Sequence, residues 1–351
     1  MMKKEFAIKK YDIAELKESI RDYTGLDAGN MKKTELFDMV LSLTRDYEIY
    51  AYSFDKRHFD VLRRLRNGES ILVSKVEKNI REDLVLHYLI NFRNRRLEII
   101  ETQEPLIDEI LNNEKHLLRC NLILSIAIGM IYHHGIVPYD KLIQMLNKAG
   151  VSDINSINDV ALVTDKDFVG SDVIFYDHKR NVIKLRSFFS DEDVYRETLN
   201  MLEIVPFKLL DVEDYIAIYD HGYTDRFPIF QKIKDLFFPS VRYSVDSFMF
   251  LVSRTMYSQK HTPFATNIIR YAEDHFQWNV KDEYFINYCG MLLEAVYDSF
   301  KIAPSWKYVG YSEVEFMEIL RLRYDTGMDV DELESDSEDL FNKKEKNNFT
   351  S

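Results

Sequence analysis

Residues 12–46 have the sequence DIAELKESIRDYTGLDAGNMKKTELFDMVLSLTRD, which predicts two short helices joined by a loop. Asp12 stands just before the first apolar position and Glu15 follows three residues later, which is the spacing of a capping box at a helix start. Gly25 follows where the first helix should end, because glycine accepts the left-handed backbone common after a helix. We therefore expect a helix-loop-helix over residues 10–47.

Apolar residues at helical spacing assign a buried face to each of these two helices. In the first helix this face consists of Ile13, Leu16, Ile20 and Tyr23. In the second helix it consists of Leu36, Met39, Val40 and Leu43. With Asn30 as the expected N-cap, Lys32 and Lys33 lie exposed on the first turn of the second helix.

These residues resemble the Rho termination factor N-terminal domain and its SAP-like relatives. The likeness lies in a Leu-Lys pair, a Gly-apolar step and a Lys-Lys-x-Glu-Leu helix start, which here are Leu16-Lys17, Gly25-Leu26 and Lys32-Lys33-Thr34-Glu35-Leu36. In that family the helix-loop-helix binds nucleic acid or assists a neighbouring element that does. The resemblance therefore implies phosphate contacts by Lys17, Arg21, Lys32 and Lys33. The alternative is a helical cap or a protein-docking element, since acidic residues alternate with these lysines.

Residues 54–112 have the pattern of a second small unit. A helix is expected over residues 55–66 and another over 76–88, after a short apolar segment at 71–73. Two apolar runs then flank a polar turn of sequence Arg-Asn-Arg-Arg at 93–96, which predicts a β-hairpin. This order is typical of a winged helix. If the unit binds nucleic acid, six arginines are expected to contact phosphate, namely Arg63, Arg64, Arg66, Arg93, Arg95 and Arg96. The alternative is a solvated hairpin tip on a winged helix that binds protein.

A similar outline recurs over residues 115–190 and predicts a second winged-helix-like unit. A long apolar helix is closed by Gly135, Pro138 opens an amphipathic helix, and a hairpin encloses residues 177–181. The order resembles Firmicute and mobile-element proteins, many of which end in a SEC-C zinc motif. Their Trp-x-x-x-Gly-x-Ser/Thr-x-x-Glu segment is matched by residues 306–315, but the terminal cysteine cluster is missing.

The remaining residues predict a helical domain at 191–324 and a disordered acidic tail at 325–351. The clearest helices are expected at 212–219, 230–237, 245–256, 268–275 and 284–300. The fold class is therefore mainly α with small β-hairpins, comprising an N-terminal helix-loop-helix, two winged-helix-like units and a C-terminal helical domain.

Charge is distributed unevenly along the 351 residues, whose formal net charge is −13. Residues 1–100 carry 20 Lys and Arg against 17 Asp and Glu, a net charge of +3, which leaves −16 for residues 101–351. We therefore expect any nucleic-acid contact within the first hundred residues. The longest apolar stretch, at 120–132, is too short to span a bilayer, and a cytoplasmic location with no membrane partner is expected.

Candidate residues for catalysis or metal binding are few. The two cysteines, Cys120 and Cys289, lie in apolar helical patterns and are expected to be buried. The adjacent pair His133-His134 is expected to cap a helix end. Four aspartates, Asp165, Asp167, Asp172 and Asp177, have no established cation-binding spacing. No metal, cofactor or catalytic residue is therefore predicted.

Three functions remain compatible with the sequence. The favoured one is a non-enzymatic regulator or accessory factor that contacts DNA or RNA through residues 1–100. The second is a protein-interaction adaptor that does not bind nucleic acid. The third is an enzyme of an unrecognised class, which would require a convergent cluster of polar side chains.

Overall fold

The computed structural model describes residues 2–24, 27–44, 50, 54–154, 159–160, 174–186, 192–224, 226–230, 287, 290, 294 and 301–327. Within these residues the chain is mainly helical with small antiparallel strand pairs, which confirms the predicted fold class. Its contacts divide it into two compact units, residues 1–122 and 123–351.

The first unit contains six α-helices, two strands and the start of a seventh α-helix in its described residues. In chain order they are α1 (Lys4–Ile8), α2 (Ile13–Thr24), α3 (Lys33–Leu43), α4 (Lys56–Arg66), α5 (Lys78–Leu86), β1 (Ile90–Arg93), β2 (Arg96–Ile99), α6 (Glu104–Asn112) and α7 (Glu114–His134).

The start of α2 has the predicted capping box. The backbone N–H of Glu15 donates to Asp12 Oδ1 and that of Asp12 donates to Glu15 Oε2, each at 2.7 Å. The start of α3 lies later than predicted, because the carboxylate of Glu35 accepts from the backbone N–H of Lys32 at 2.8 Å. This contact fixes Lys33, rather than a residue just after Asn30, as the first residue of the helix.

The buried faces of α2 and α3 differ in part from those predicted. Leu16, Ile20, Leu36 and Val40 are buried as expected. Ile13 and Met39 are instead 49% and 37% exposed, while Phe37 and Leu41 take the buried positions. The reason is aromatic packing, because the ring of Phe37 lies within 6.2 Å of the rings of Tyr11 and Tyr88. That packing rotates α3 away from the face that spacing alone suggested.

The helix α4 and the hairpin follow the sequence prediction closely. Asp55 caps α4 by accepting the backbone N–H of Arg57 at 2.9 Å, and the apolar side chains of Phe59, Leu62 and Leu65 are buried. Arg93 pairs with Arg96 across the hairpin, and Asn94 and Arg95 form its turn with φ of 51° and 60°. Two successive positive φ angles are those of a type I′ turn, which matches the twist of the two strands.

The apolar segment at 71–73 lies along the other edge of β2. Leu72 forms an antiparallel bridge with Arg96, and the N–H of Leu97 donates to the carbonyl of Ile71 at 3.0 Å. The extended segment at 71–73 therefore pairs with β2, and β1 lies on the opposite side of β2.

The N-terminal helices and the hairpin share one hydrophobic core. Tyr88, which follows α5, belongs to the same buried cluster as residues of α2 and α3. The N–H of Met2 donates to Ile99 at 2.8 Å, so the start of the chain lies beside the end of β2. Residues 10–47 and 54–112 thus belong to a single compact unit.

In its described residues the second unit contains β3 (Ile136–Pro138), α8 (Tyr139–Lys148), β4 (Ile174–Asp177), β5 (Val182–Leu185), α9 (Glu192–Met201), α10 (Val212–His221) and α11 (Glu313–Thr326). The three strands form an antiparallel sheet of order β3-β5-β4. Here too the first strand, β3, pairs with the last, β5. Gly135, with φ of 75°, makes the turn from α7 into β3.

The last described helix of the chain is α11. Ser312 and Glu315 form a capping box at the start of α11, and the helix continues through Thr326. It extends two residues beyond the domain boundary expected at residue 324, because Gly327 with φ of 69° supplies the helix end. The rest of the predicted tail, Cys289 and most positions of the helices expected between 230 and 300 lie outside the described residues.

Among the described residues, α7 is the one helix with the length and composition to cross a membrane. Of its most apolar 18-residue window, 67% is buried within the structure. Core helices of globular proteins have this property.

Candidate nucleic-acid interface

The tip of the β1–β2 hairpin presents arginines to solvent. Arg93, Arg95 and Arg96 are all exposed, and the backbone carbonyl of Arg95 accepts the N–H of Val73 at 3.0 Å. This hydrogen bond fixes the backbone at the tip against the neighbouring extended segment. The side chain of Arg96 contacts the hydroxyl of Ser70.

Two further cations lie beside this tip. Lys75 is exposed in the short turn after Val73, and the Arg81 guanidinium donates to the carbonyls of Val73 and Val76 at 3.2 and 3.4 Å. We name the set of cations around this turn the wing surface, and it consists of Lys75, Arg81, Arg93, Arg95 and Arg96.

The wing surface has a clear surplus of positive charge. Four of its members form no ion pair with any carboxylate in the described part of the chain, namely Lys75, Arg81, Arg95 and Arg96. Guanidinium and ammonium groups without a carboxylate partner can each contact a phosphate.

The arginines of α4 are placed differently. Arg66 forms two hydrogen bonds to the carboxylate of Asp108, at 2.6 and 2.8 Å, and a third to Glu104 at 2.9 Å. Arg63 lies 2.7 Å from Asp60 and 2.5 Å from Glu114.

Arg64 follows the same pattern, with its Nε 2.8 Å from the carboxylate of Glu69. Hydrogen bonds from Arg66 and Arg64 lower the pKa of Asp108 and of Glu69, respectively. The expected phosphate ligands Arg63, Arg64 and Arg66 are therefore neutralised by acidic side chains of their own unit. These ion pairs hold α4 to neighbouring segments, and they leave less positive charge available for a ligand.

The four cations implied by the Rho-like resemblance lie on the N-terminal helix pair. The ammonium of Lys17 donates to the carbonyl of Gly29 at 2.5 Å, which closes the loop between α2 and α3. Arg21 and Lys32 are exposed, and Lys33 is half-buried. These residues form a second, more dispersed set of cations on the first unit.

Lys75 and Arg81 were missed by sequence reasoning. A signal was present, because an apolar segment that precedes a helix and a hairpin often adds an edge strand. Placing residues 71–73 beside the hairpin would have brought the following Lys75 to the wing.

A buried histidine holds α5 and α4 together. His58 Nδ1 lies 2.9 Å from Asp55 and its Nε2 lies 3.2 Å from Asp83. Burial alone would lower the pKa of His58, but its hydrogen bonds to these two carboxylates raise the pKa above its ordinary value. The same contacts orient α5, whose first turn lies next to the wing surface.

The pair His133-His134 has a structural role other than the predicted one. Both side chains are fully buried, and His134 bonds to the carbonyl of Val309 and the hydroxyl of Tyr215, each at 2.9 Å. Capping of the helix end is therefore wrong for His134, because its two ring nitrogens contact other segments of the second unit.

The described residues contain no group of three or more His, Cys, Asp or Glu side chains suited to a metal ion. Asp177 lies at the end of β4, while Asp165, Asp167 and Asp172 lie outside the described residues. Cys120 is buried within α7, as expected.

No protein-family model, curated protein or solved structure matches this chain. The two resemblances drawn from the sequence therefore stay predictions.

Proposed function

We propose that the first unit is a non-enzymatic nucleic-acid-binding module that contacts the phosphate backbone of DNA or RNA through the wing surface. The observation that supports this most directly is the cluster of cations around the hairpin tip, Lys75, Arg81, Arg95 and Arg96, which have no carboxylate partner among the described residues. Phosphate contacts of this kind supply most of the sequence-independent affinity for nucleic acid.

The topology supports a winged-helix assignment for this unit. A helix, an extended segment, a second helix and two strands follow one another, and the extended segment pairs with the last strand. In winged helices the hairpin is a common backbone contact. The N-terminal helix pair, through its likeness to the Rho N-terminal domain, would add weaker contacts from Lys17, Arg21, Lys32 and Lys33.

The exposed face of α5 favours backbone contact over base reading. Its exposed residues are Lys78, Asn79, Glu82 and Leu86, and Lys78 lies 3.7 Å from Glu82. A helix that reads bases in the major groove usually offers an uninterrupted polar or cationic surface. The proposed binding of nucleic acid is therefore independent of base sequence. It would serve a regulatory or accessory role within the cytoplasm.

The test is a binding titration of the full chain with single- and double-stranded DNA and RNA over a series of salt concentrations. The wing variant Lys75→Gln/Arg95→Gln should weaken binding at least tenfold and reduce the slope of log affinity against log salt by about 2. Failure of the unsubstituted protein to bind any of these nucleic acids at low salt would overturn the proposal.

The matched control removes two positive charges from the paired arginines. Arg64→Gln/Arg66→Gln has the same change in net charge, yet it should bind within about twofold of the unsubstituted chain because those guanidinium groups already contact carboxylates. An equal loss in both variants would show that total charge, rather than the wing surface, governs binding.

A second candidate function is a protein-interaction adaptor. Leu72 and Leu86 are 42% and 66% exposed on the same unit, and exposed apolar side chains are typical of docking surfaces. This candidate predicts that Leu72→Ser/Leu86→Ser abolishes capture of a protein partner, whereas the wing variant does not.

A further inference from the structure

A cleft of about 430 Å³ lies in the first unit, between β2 and the loop that follows α4. Leu65 and Gly68 line it from the end of the helix and from the loop, and Leu97 and Ile99 line it from the strand. All of its lining residues belong to the first unit. The size is within the range of small-molecule sites in proteins.

The edge of β2 that faces away from β1 is only partly paired among the described residues. The N–H of Leu97 donates to Ile71 at 3.0 Å, and the carbonyl of Ile99 accepts from Met2 at 2.8 Å. The N–H and C=O of one strand residue point to the same edge, so the carbonyl of Leu97 and the N–H of Ile99 also point to this edge. Neither of these two groups has a hydrogen-bond partner in the described part of the chain. Because Leu97 and Ile99 both line the cleft, the two groups can meet a ligand there.

Met2 shows how a single residue pairs with this edge. It forms a parallel bridge with Ile100, in which its N–H donates to Ile99 and its carbonyl accepts the N–H of Glu101 at 2.9 Å. A parallel partner therefore bonds to the residues before and after the one that it faces.

A ligand that faces Glu98 in the same way would donate to the carbonyl of Leu97 and accept from the N–H of Ile99. The space for it along the edge is short, because residues 71–72 pair with the strand before this point and Met2 pairs with it after. The unpaired stretch from Leu97 to Ile100 spans about 10 Å at a rise of about 3.3 Å per strand residue. It therefore favours a single amino acid over an extended peptide.

Arg96 extends from the strand to the opposite wall of the cleft. Its Nη1 donates to the hydroxyl of Ser70, which belongs to the loop after α4. A guanidinium has five N–H donors, and the side chain of Arg96 has no carboxylate partner among the described residues. It therefore presents a positive charge that a ligand carboxylate can meet with two hydrogen bonds.

Glu98 supplies a negative charge on the same face of the strand as Arg96, since residues two apart in a strand point to one face. It lines the cleft, and its Oε2 is buried yet accepts no hydrogen bond from the described residues. A buried acceptor without a donor destabilises a protein. An ammonium group at Glu98 would supply the missing donor.

The other charged residues of the lining already have partners. Arg66 and Glu104 bind each other at 2.9 Å, and the carboxylate of Glu69 accepts from an arginine of α4. Within the described residues, one cation and one anion of the cleft are thus left for a ligand, namely Arg96 and Glu98. A simple anion would be repelled by the carboxylate and a simple amine by the guanidinium. An α-amino acid has an ammonium and a carboxylate and matches both.

We propose that this cleft binds a free α-amino acid. The ammonium group donates to the carbonyl of Leu97 and to Glu98, and the carboxylate accepts from the N–H of Ile99 and from Arg96. The site goes beyond the contact of the wing surface with phosphate, although the two share Arg96.

The test measures binding of the twenty standard L-amino acids to the full chain by isothermal titration calorimetry. At least one should bind with a dissociation constant in the millimolar range or below. The amine that lacks its carboxylate and the acid that lacks its amino group should each bind at least tenfold more weakly, because each leaves one charge of the cleft unmatched. No binding of any amino acid, or equal binding of either analogue, would overturn the proposal.

Two single variants test the charges of the cleft. Glu98→Gln and Arg96→Gln should each weaken binding of the amino acid at least tenfold. The matched controls, Glu101→Gln and Arg95→Gln, make the same charge changes at exposed positions outside the cleft and should bind it as the unsubstituted chain does. Equal losses in a variant and its control would show that total charge governs binding, which would contradict the site. Circular dichroism melting curves establish that every variant is folded.

The calorimetry contains no nucleic acid, so its outcome is separate from that of the wing surface. Lys75→Gln/Arg95→Gln should keep the affinity for the amino acid even though it is expected to lose affinity for nucleic acid. Loss of both in this variant would contradict the placement of the ligand between Arg96 and Glu98.

Discussion

The hydroxyl of Tyr88 lies 2.7 Å from the hydroxyl of Ser19, and this contact joins the N-terminal helix pair to the end of α5. Tyr88 has a positive φ of 59°, which is unusual for a residue with a side chain. Its ring lies 4.7 Å from that of Tyr11 and 6.2 Å from that of Phe37. One residue in an uncommon backbone conformation therefore connects the two parts of the first unit.

We predict that Tyr88→Phe lowers the free energy of unfolding by about 1 kcal/mol, because it removes a hydrogen bond and keeps the ring. Tyr88→Ala should cost about 3–5 kcal/mol, since it also opens a cavity among the aromatic rings. Urea denaturation of the full chain measures both. The control is Tyr324→Phe, whose ring is 91% exposed and whose effect should be negligible. Equal stability of Tyr88→Ala and the unsubstituted chain would show that the contact has no structural role.

This relationship also explains which features the sequence could predict. The capping box of Asp12 and Glu15 and the turn at Asn94 and Arg95 depend on neighbours within a few residues, so pattern alone located them. Burial of Phe37 instead of Met39 depends on Tyr88, some fifty positions away. Helical spacing limits which faces of α3 could be buried. Long-range aromatic packing determines which of those faces is buried.

The candidate site divides in the same way. The hairpin tip with Arg93, Arg95 and Arg96 was predicted because alternating apolar runs mark a hairpin. The pairing of Arg66 with Asp108, 42 residues away, leaves no local signal in the sequence. Composition indicates how many cations a segment has, whereas only the fold indicates which of them have carboxylate partners.

Gly129 in α7 is required by a close approach to α10. A Cβ at this position would lie 2.0 Å from the backbone oxygen of Tyr215, and backbone cannot yield as a flexible side chain can. Gly129→Ala should therefore destabilise the protein by about 3 kcal/mol or more, at the upper end of the cost of overpacking. Thermal denaturation measures the change.

The matched control for this prediction is Gly290→Ala, at a helical glycine whose added Cβ would meet no other described part of the chain within 4 Å. Alanine stabilises a helix relative to glycine by about 0.5–1 kcal/mol, so this variant should melt at a slightly higher temperature. If both variants shifted stability in the same direction, the close approach would not be the cause.

Gly310 is constrained by the buried histidines as well as by its own backbone. Its φ is 85°, and a Cβ there would lie 2.5 Å from Nδ1 of His134 and 2.8 Å from His133. We expect Gly310→Ala to lose more stability than Gly327→Ala, which has a positive φ of 69° but open space around the added Cβ. Both variants share the backbone strain of a positive φ. The difference between their losses in free energy of unfolding therefore measures the cost of the steric contact with the histidines. Equal losses would show that the histidines move aside without cost.

The two histidine environments should respond to pH in opposite directions. Burial lowers the pKa of His134 to about 3, so the folded chain excludes a proton that the unfolded histidine, with an ordinary pKa of 6.5, binds. Stability from His134 is therefore present above pH 6.5 and is lost as the pH falls, by up to about 1.4 kcal/mol per pH unit. His58 has a raised pKa, so its contribution is present below pH 6.5 and is lost as the pH rises through its folded value.

Nuclear magnetic resonance titration of the imidazole C2 protons measures the two groups separately, with His134→Gln and His58→Gln used to assign the signals. The His134 signal should stay that of a neutral ring down to pH 5, because both of its nitrogens are buried against Val309 and Tyr215. The His58 signal should titrate above pH 6.5, and in an Asp83→Asn variant its midpoint should fall, since one of its two carboxylate partners loses its charge. A His134 midpoint near 6.5 would mean that the ring is reached by solvent, and an unchanged His58 midpoint in Asp83→Asn would mean that Asp83 does not hold α5 through this histidine.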